Sequence, residues 1–112
     1  MANYLLIESR DPFEYGDVNY FCNTAKDLAA AGNDVTIFLI QNGVLMAKNG
    51  IANNPLSAMP SGSPGKISVR ADDFSLKERG IGTGSVAPGV TMSNVDELVD
   101  LLVQDGIKAV WH

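Results

Sequence analysis

Two adjacent carboxylates, Asp72 and Asp73, stand where the β-branched stretch Ile67-Ser68-Val69 gives way to a short helical pattern closed by Arg79-Gly80. Either aspartate can cap that helix by accepting hydrogen bonds from the unpaired amides of its first turn. Gly80 suits the left-handed position that ends helices. One cap needs one carboxylate, which leaves the second for chemistry. The expectation is that Asp73 caps while Asp72 stands more exposed in a pocket with Arg10 or Gln41. In parallel α/β sheets, ligands bind beyond the carboxyl ends of the strands. The ends of two earlier strands bring Glu8, Arg10, Asp11, Gln41 and Asn42 to the same edge. With Asp72, these six are the candidate ligand-binding residues, and Asp72 and Asp73 are the candidate catalytic ones. Three chemistries fit. A carboxylate pair can raise one member's pKa for acid–base work. Glu8, Asp11, Asp72 and Asp73 can offer oxygen ligands to a hard cation. Arg10 and Asp72 can also form an ion pair with no further role.

The elements that must position these residues are legible from apolar periodicity. Tyr4-Leu5-Leu6-Ile7 is a continuous apolar run, the mark of a central strand covered on both faces. Val18, Phe21, Cys22, Ala25, Leu28 and Ala29 form a helical stripe, with Asp17 as expected cap and Gly32-Asn33 as stop. Val35 to Ile40 is a β-branched strand, and the two strands with the helix between them make a right-handed βαβ unit. Val44 to Ala47 reads as one helical turn. Ser93 with Asp96 resembles a capping box ahead of a stripe of Val95, Leu98, Val99, Leu102 and Val103. The spacing predicts strands at 3–8, 34–40, 66–71 and 108–111 and helices near 17–31, 72–79 and 94–105. This is a three-layer α/β domain with a short, mostly parallel sheet. Residues 81–90 read as a connector or short edge strand; glycines 80, 82 and 84 do not have the spacing of a phosphate loop. Residues 48–65 form a long Asn/Gly/Pro/Ser-rich loop whose apolar Ile51, Leu56 and Met59 are expected to pack against something such as a neighbouring subunit.

At 112 residues the chain is one domain, and 46% hydrophobic residues exclude disorder. Thirteen acidic against eight basic residues, a formal charge of −5, argue against nucleic acid or an anionic membrane as partner. No signal segment or spanning run is seen, so a cytoplasmic location is expected. One cysteine and one histidine exclude an internal disulfide and a Cys/His zinc site within one chain, and no metal is assigned. Glu8-Ser9-Arg10-Asp11 is not glycine-rich, so flavin binding lacks its phosphate loop and no cofactor is expected. A response-regulator receiver would carry its acidic pair after the first strand, and the order here differs.

Taken together, the opening strand, the helix with Gly32-Asn33-Asp34-Val35, the Gln41-Asn42-Gly43 turn, the Arg79-Gly80-Ile81 helix end and the 89–101 segment resemble the DsrE/DsrF-like family across nearly the whole chain. The resemblance implies a small flavodoxin-related α/β fold, assembly into homo-trimers or homo-hexamers, and a place in sulfur relay or sulfur metabolism with other relay proteins as partners. Sulfur-carrying members hold a persulfide on a cysteine after the third strand. Counting back from Arg79-Gly80, that position is Asp72 here, and a carboxylate cannot carry sulfane sulfur. The single thiol, Cys22, lies on the apolar helical stripe and is expected to be buried. The resemblance therefore implies an accessory or small-ligand-binding homologue. The alternative is an enzyme or relay partner that uses Asp72 or Asp73, with thiol chemistry supplied by another chain.

Overall fold

The computed structural model describes residues 2–51, 54–58 and 66–112. Among these residues run five strands and three α-helices: β1 (Asn3–Glu8), α1 (Asp17–Ala30), β2 (Asp34–Leu39), β3 (Ile67–Asp72), α2 (Asp73–Glu78), β4 (Val90–Ser93), α3 (Val95–Leu102) and β5 (Ile107–Trp111). Short 3-10 segments cover Gln41–Ala47, Pro55–Ala58 and Thr83–Ser85. The sheet order is β4-β3-β2-β1-β5, and every pairing is parallel.

The layers follow from side-chain alternation. Parallel register places Leu6 beside Ile37 and Ile37 beside Val69, on the face covered by α1, α2 and the first two 3-10 segments. Leu5, Ile7 and Phe38 point to the opposite face, under Leu98 and Leu101 of α3. Leu5, Leu6 and Ile7 are all buried, which is why β1 reads as an unbroken apolar run. Helix α3 has eight residues and cannot cover its whole face. The remainder, over β2, β3 and β4, carries Thr36, Ser68, Arg70 and Thr91, polar residues suited to water.

Four local expectations are corrected. Asp17 does not cap α1: Gly16 flanks the helix, no side chain caps it, and Asp17 turns toward His112 instead. Residues 90–93 form a true edge strand, too short and too glycine-flanked to show a period of two. Asn94, not Ser93, caps α3 by accepting the Glu97 N–H at 3.0 Å, while the Ser93 hydroxyl donates to Glu97 at 2.8 Å. The stripe on α3 is also turned. Leu98 is buried, but Val95, Val99, Leu102 and Val103 face solvent, because the apolar arc is wider than one core contact needs.

The 48–65 loop partly packs on its own chain. Asn54 is buried and donates to the Met46 carbonyl at 2.6 Å, and Leu56 lies against the larger core. Leu56 therefore finds its packing partner within its own chain. Residues 52–53 and 59–65, with Met59 and the Ser/Gly/Pro run, lie outside the described residues. Among the described residues no helix is long and apolar enough to cross a membrane.

Candidate functional site

The carboxyl edge of the sheet holds two polar assemblies. The first is built on Glu8, whose side chain is 0% exposed at the end of β1. Its carboxylate accepts the Arg10 N–H at 2.9 Å and meets His112 Nδ1 at 2.8 Å. The other ring nitrogen, Nε2, lies 2.9 Å from Asp17 Oδ2, and Phe21 stacks on the ring at 5.1 Å. Continuation of the β1–β5 ladder sets the ring there: His112 N–H donates to the Ile7 carbonyl, and Ser9 N–H to the His112 carbonyl. A carboxylate at each nitrogen favours the doubly protonated imidazole, which can donate to both. Burial pulls the His112 pKa down, but the hydrogen bonds and charges of Glu8 and Asp17 outweigh it and the net shift is upward. Burial raises the Glu8 pKa against the opposing pull of the Arg10 N–H and His112. The His112 hydrogen bond lowers that of Asp17. Arg10 reaches Asp17 at 3.8 Å and lies over the Tyr15 ring. Asp11 is buried and accepts the Phe13 and Glu14 amides at 3.0 and 2.9 Å, holding the turn into α1.

The second assembly joins the end of β2 to α2. Asp72 is the cap, 8% exposed, accepting the Ser75 N–H at 3.0 Å and the Ser75 hydroxyl at 2.7 Å. The Ser75 oxygen in turn accepts the Gln41 N–H at 2.9 Å. Gln41 has φ 50°, a left-handed conformation that a non-glycine residue holds only when its surroundings impose it. Asn42 Oδ1 accepts two N–H groups of Arg79, at 2.9 and 3.1 Å, and Arg79 also donates to the Ser75 carbonyl. Gly43 links the two assemblies: a Cβ there would lie 2.1 Å from the Glu8 carbonyl oxygen.

The six candidate binding residues thus share one edge but split between two self-satisfied networks. Glu8, Arg10 and Asp11 belong to the first, and Gln41, Asn42 and Asp72 to the second. Arg10 pairs with Asp17 rather than Asp72. The expected roles of the two aspartates are reversed, because Asp72 ends β3 in extended conformation and its side chain folds back on the first turn. Asp73 begins the helix, exposed. A hard-cation site from Glu8, Asp11, Asp72 and Asp73 does not form, since the first three are each committed to other donors. Among the described residues no group of three acidic, histidine or cysteine side chains could hold a metal ion. Sequence reasoning missed His112, Ser75 and Arg79. A lone histidine far from its partners in sequence gives no spacing signal.

Beside the second assembly, a cleft of about 400 Å³ is lined by Asp73, Phe74, Lys77, Ile81, Gly82, Thr83 and Met92. It lies between α2, the Thr83–Ser85 turn and β4. Cys22 is buried in the larger core. Burial, and next the Glu8 charge, push its thiol pKa up to about 11, so it is protonated near neutrality.

No protein-family model matches the chain, and no curated protein matches its sequence. Solved structures do match its fold. The ychN protein from E. coli is 20% identical with a TM-score of 0.74, covering 98% of this chain and 100% of that one. MTH1491, a protein of unknown function from Methanobacterium thermoautotrophicum, is 14% identical with a TM-score of 0.82 over the whole of both chains. Tm0979 from Thermotoga maritima is 21% identical with a TM-score of 0.55, covering 88% of this chain and 90% of that one. At these identities the likeness is one of fold, the small DsrE-like α/β arrangement.

Proposed function

We propose that the chain is a homo-oligomeric DsrE/DsrF-like protein without relay chemistry of its own, acting as an accessory or small-ligand-binding member of sulfur metabolism. The observation that carries this reading is the state of the single thiol. Cys22 is buried and protonated, and the position where the resemblance expects a persulfide cysteine holds Asp72, which is spent on capping α2. A protein built this way does not accept sulfane sulfur by itself. Incubation of the native protein with a sulfane-sulfur donor should leave no persulfide on Cys22, and labelling at the rate of a free thiol would overturn the reading. Cytoplasmic placement belongs to the same proposal.

The oligomer rests on the outward apolar face of α3. Val95, Val99 and Val103 recur at four-residue spacing with Leu102 beside them, and Trp111 is exposed on β5. Such a surface favours burial against another copy of the chain, and family resemblance favours a trimer or hexamer. Sedimentation at micromolar concentration should give a multiple of the chain mass, and Val99→Asp should give folded monomers, with any fall in melting tracking loss of assembly. A monomeric wild type refutes the assembly. The alternative reading, a carboxylate enzyme or relay partner, retains Asp73 as its available acid or base, since Asp72 is bound up in the cap.

A further inference from the structure

The cleft beside α2 differs from the networks at the sheet edge in one respect: among the described residues its polar side chains have no hydrogen-bond or ion-pair partner. Asp73 and Lys77 stand one helical turn apart on α2, and both are exposed. Residues four apart on a helix are neighbours, yet among the described residues these two form no ion pair, although other exposed pairs such as Arg70–Glu97 do. Thr83 adds a hydroxyl from the facing turn. The remaining walls are apolar. Ile81 forms a buried floor, Met92 comes from the edge strand, and Phe74 is a large aromatic side chain left 64% exposed. A volume of about 400 Å³ is within the size range of small-molecule pockets.

We propose that this cleft binds a zwitterionic amphiphile, specifically a free α-amino acid with a large apolar side chain. The ammonium faces Asp73, the carboxylate faces Lys77 and the Thr83 hydroxyl, and the side chain lies against Phe74, Ile81 and Met92. Charge selects this class. An anion alone would be repelled by Asp73 and a cation alone by Lys77, whereas a ligand carrying both charges meets each with its opposite. One lysine in a chain of net charge −5 is a poor site for a phosphorylated ligand. The apolar walls add burial at about 25 cal/mol per Å² and exclude amino acids with short or charged side chains. This inference rests on the small-ligand reading above and assigns that ligand a place and a class.

The test is titration of the isotopically labelled full chain with L-leucine, followed by amide shifts. Shifts should centre on Phe74, Lys77, Ile81, Thr83 and Met92. Three probes each lack one feature: 3-methylbutylamine lacks the carboxylate, 4-methylpentanoate the ammonium, and L-alanine the apolar side chain. Each should bind at least about tenfold more weakly than L-leucine. Asp73→Asn and Lys77→Met should each erase the preference over the matching truncated probe. Both variants should fold, since Asp72 supplies the cap and Lys77 makes no ion pair among the described residues. No shifts at about 10 mM L-leucine, a limit about an order of magnitude above a 1 mM Kd, overturn the proposal. So does a truncated amine or acid that binds as well as L-leucine. A different small molecule shifting amides elsewhere would remove this site while leaving the accessory-protein reading intact. Persulfide formation on native Cys22 would remove that reading whether or not L-leucine binds.

Discussion

The assembly at Glu8 makes a sharp energetic prediction. His112→Ala removes the imidazole partner of a carboxylate with no exposure to water, leaving the Arg10 N–H as the one donor to Glu8 among the described residues. Deleting one partner of a buried ion pair costs about 3–5 kcal/mol. The retained Arg10 N–H bond to Glu8 puts this case at the low end, about 3 kcal/mol. For a domain of this size that is a fall of roughly 10–20 °C in Tm. The pH dependence carries the sign. His112 has a folded pKa above its ordinary 6.5, so the folded protein holds its proton more tightly than the unfolded chain. Its stabilisation is fully present below pH 6.5 and is lost as pH rises through the folded value. The raised Glu8 value acts in the same sense from 4.5 upward. Asp17 acts oppositely, its contribution being lost as pH falls below 3.8 through its lowered value. Denaturant titrations of both proteins from pH 5 to 9 are the assay. The wild type should lose stability above pH 6.5. In the variant the His112 part of that loss is absent, so its deficit should be largest below pH 6.5 and shrink as pH rises through the folded His112 value. A deficit below about 0.5 kcal/mol that is flat with pH, the size of an ordinary surface substitution, would refute the ion-pair account.

Three further outcomes follow from single contacts. Gly43→Ala should cost more than about 3 kcal/mol or prevent folding, because its Cβ meets the Glu8 backbone at 2.1 Å and backbone atoms cannot step aside; chemical denaturation measures it. Asp72→Ala should cost about 0.5–2 kcal/mol through loss of the cap, whereas Asp73→Ala stays within about 0.5 kcal/mol; equal effects would contradict the capping geometry. Cys22 should react slowly with an aromatic disulfide reagent in native protein and fast in denaturant, and fast native labelling would contradict its burial.

Apart from the edge strand β4, the order of the elements was legible in the chain because each rests on local causes. The apolar run at Tyr4 to Ile7, the stripe from Val18 to Ala29 and the left-handed Gly80 are set by period and by backbone sterics. At Gly80 the amides of Gly80 and Ile81 close on the Lys77 and Leu76 carbonyls, the helix end that its sequence implies. That Glu8, Gln41 and Asp72 share one edge also followed from parallel order. Which carboxylate capped α2 did not follow, because neighbouring aspartates have equal propensity and one residue of helix phase decides between them. Only the assembled sheet brings His112 to Glu8 across 104 residues of chain, through a β1–β5 register that no local pattern encodes. The same holds for the turned face of α3 and for the cleft. Helix periodicity marks which residues are apolar, but the docking angle on the sheet decides which of them water still reaches.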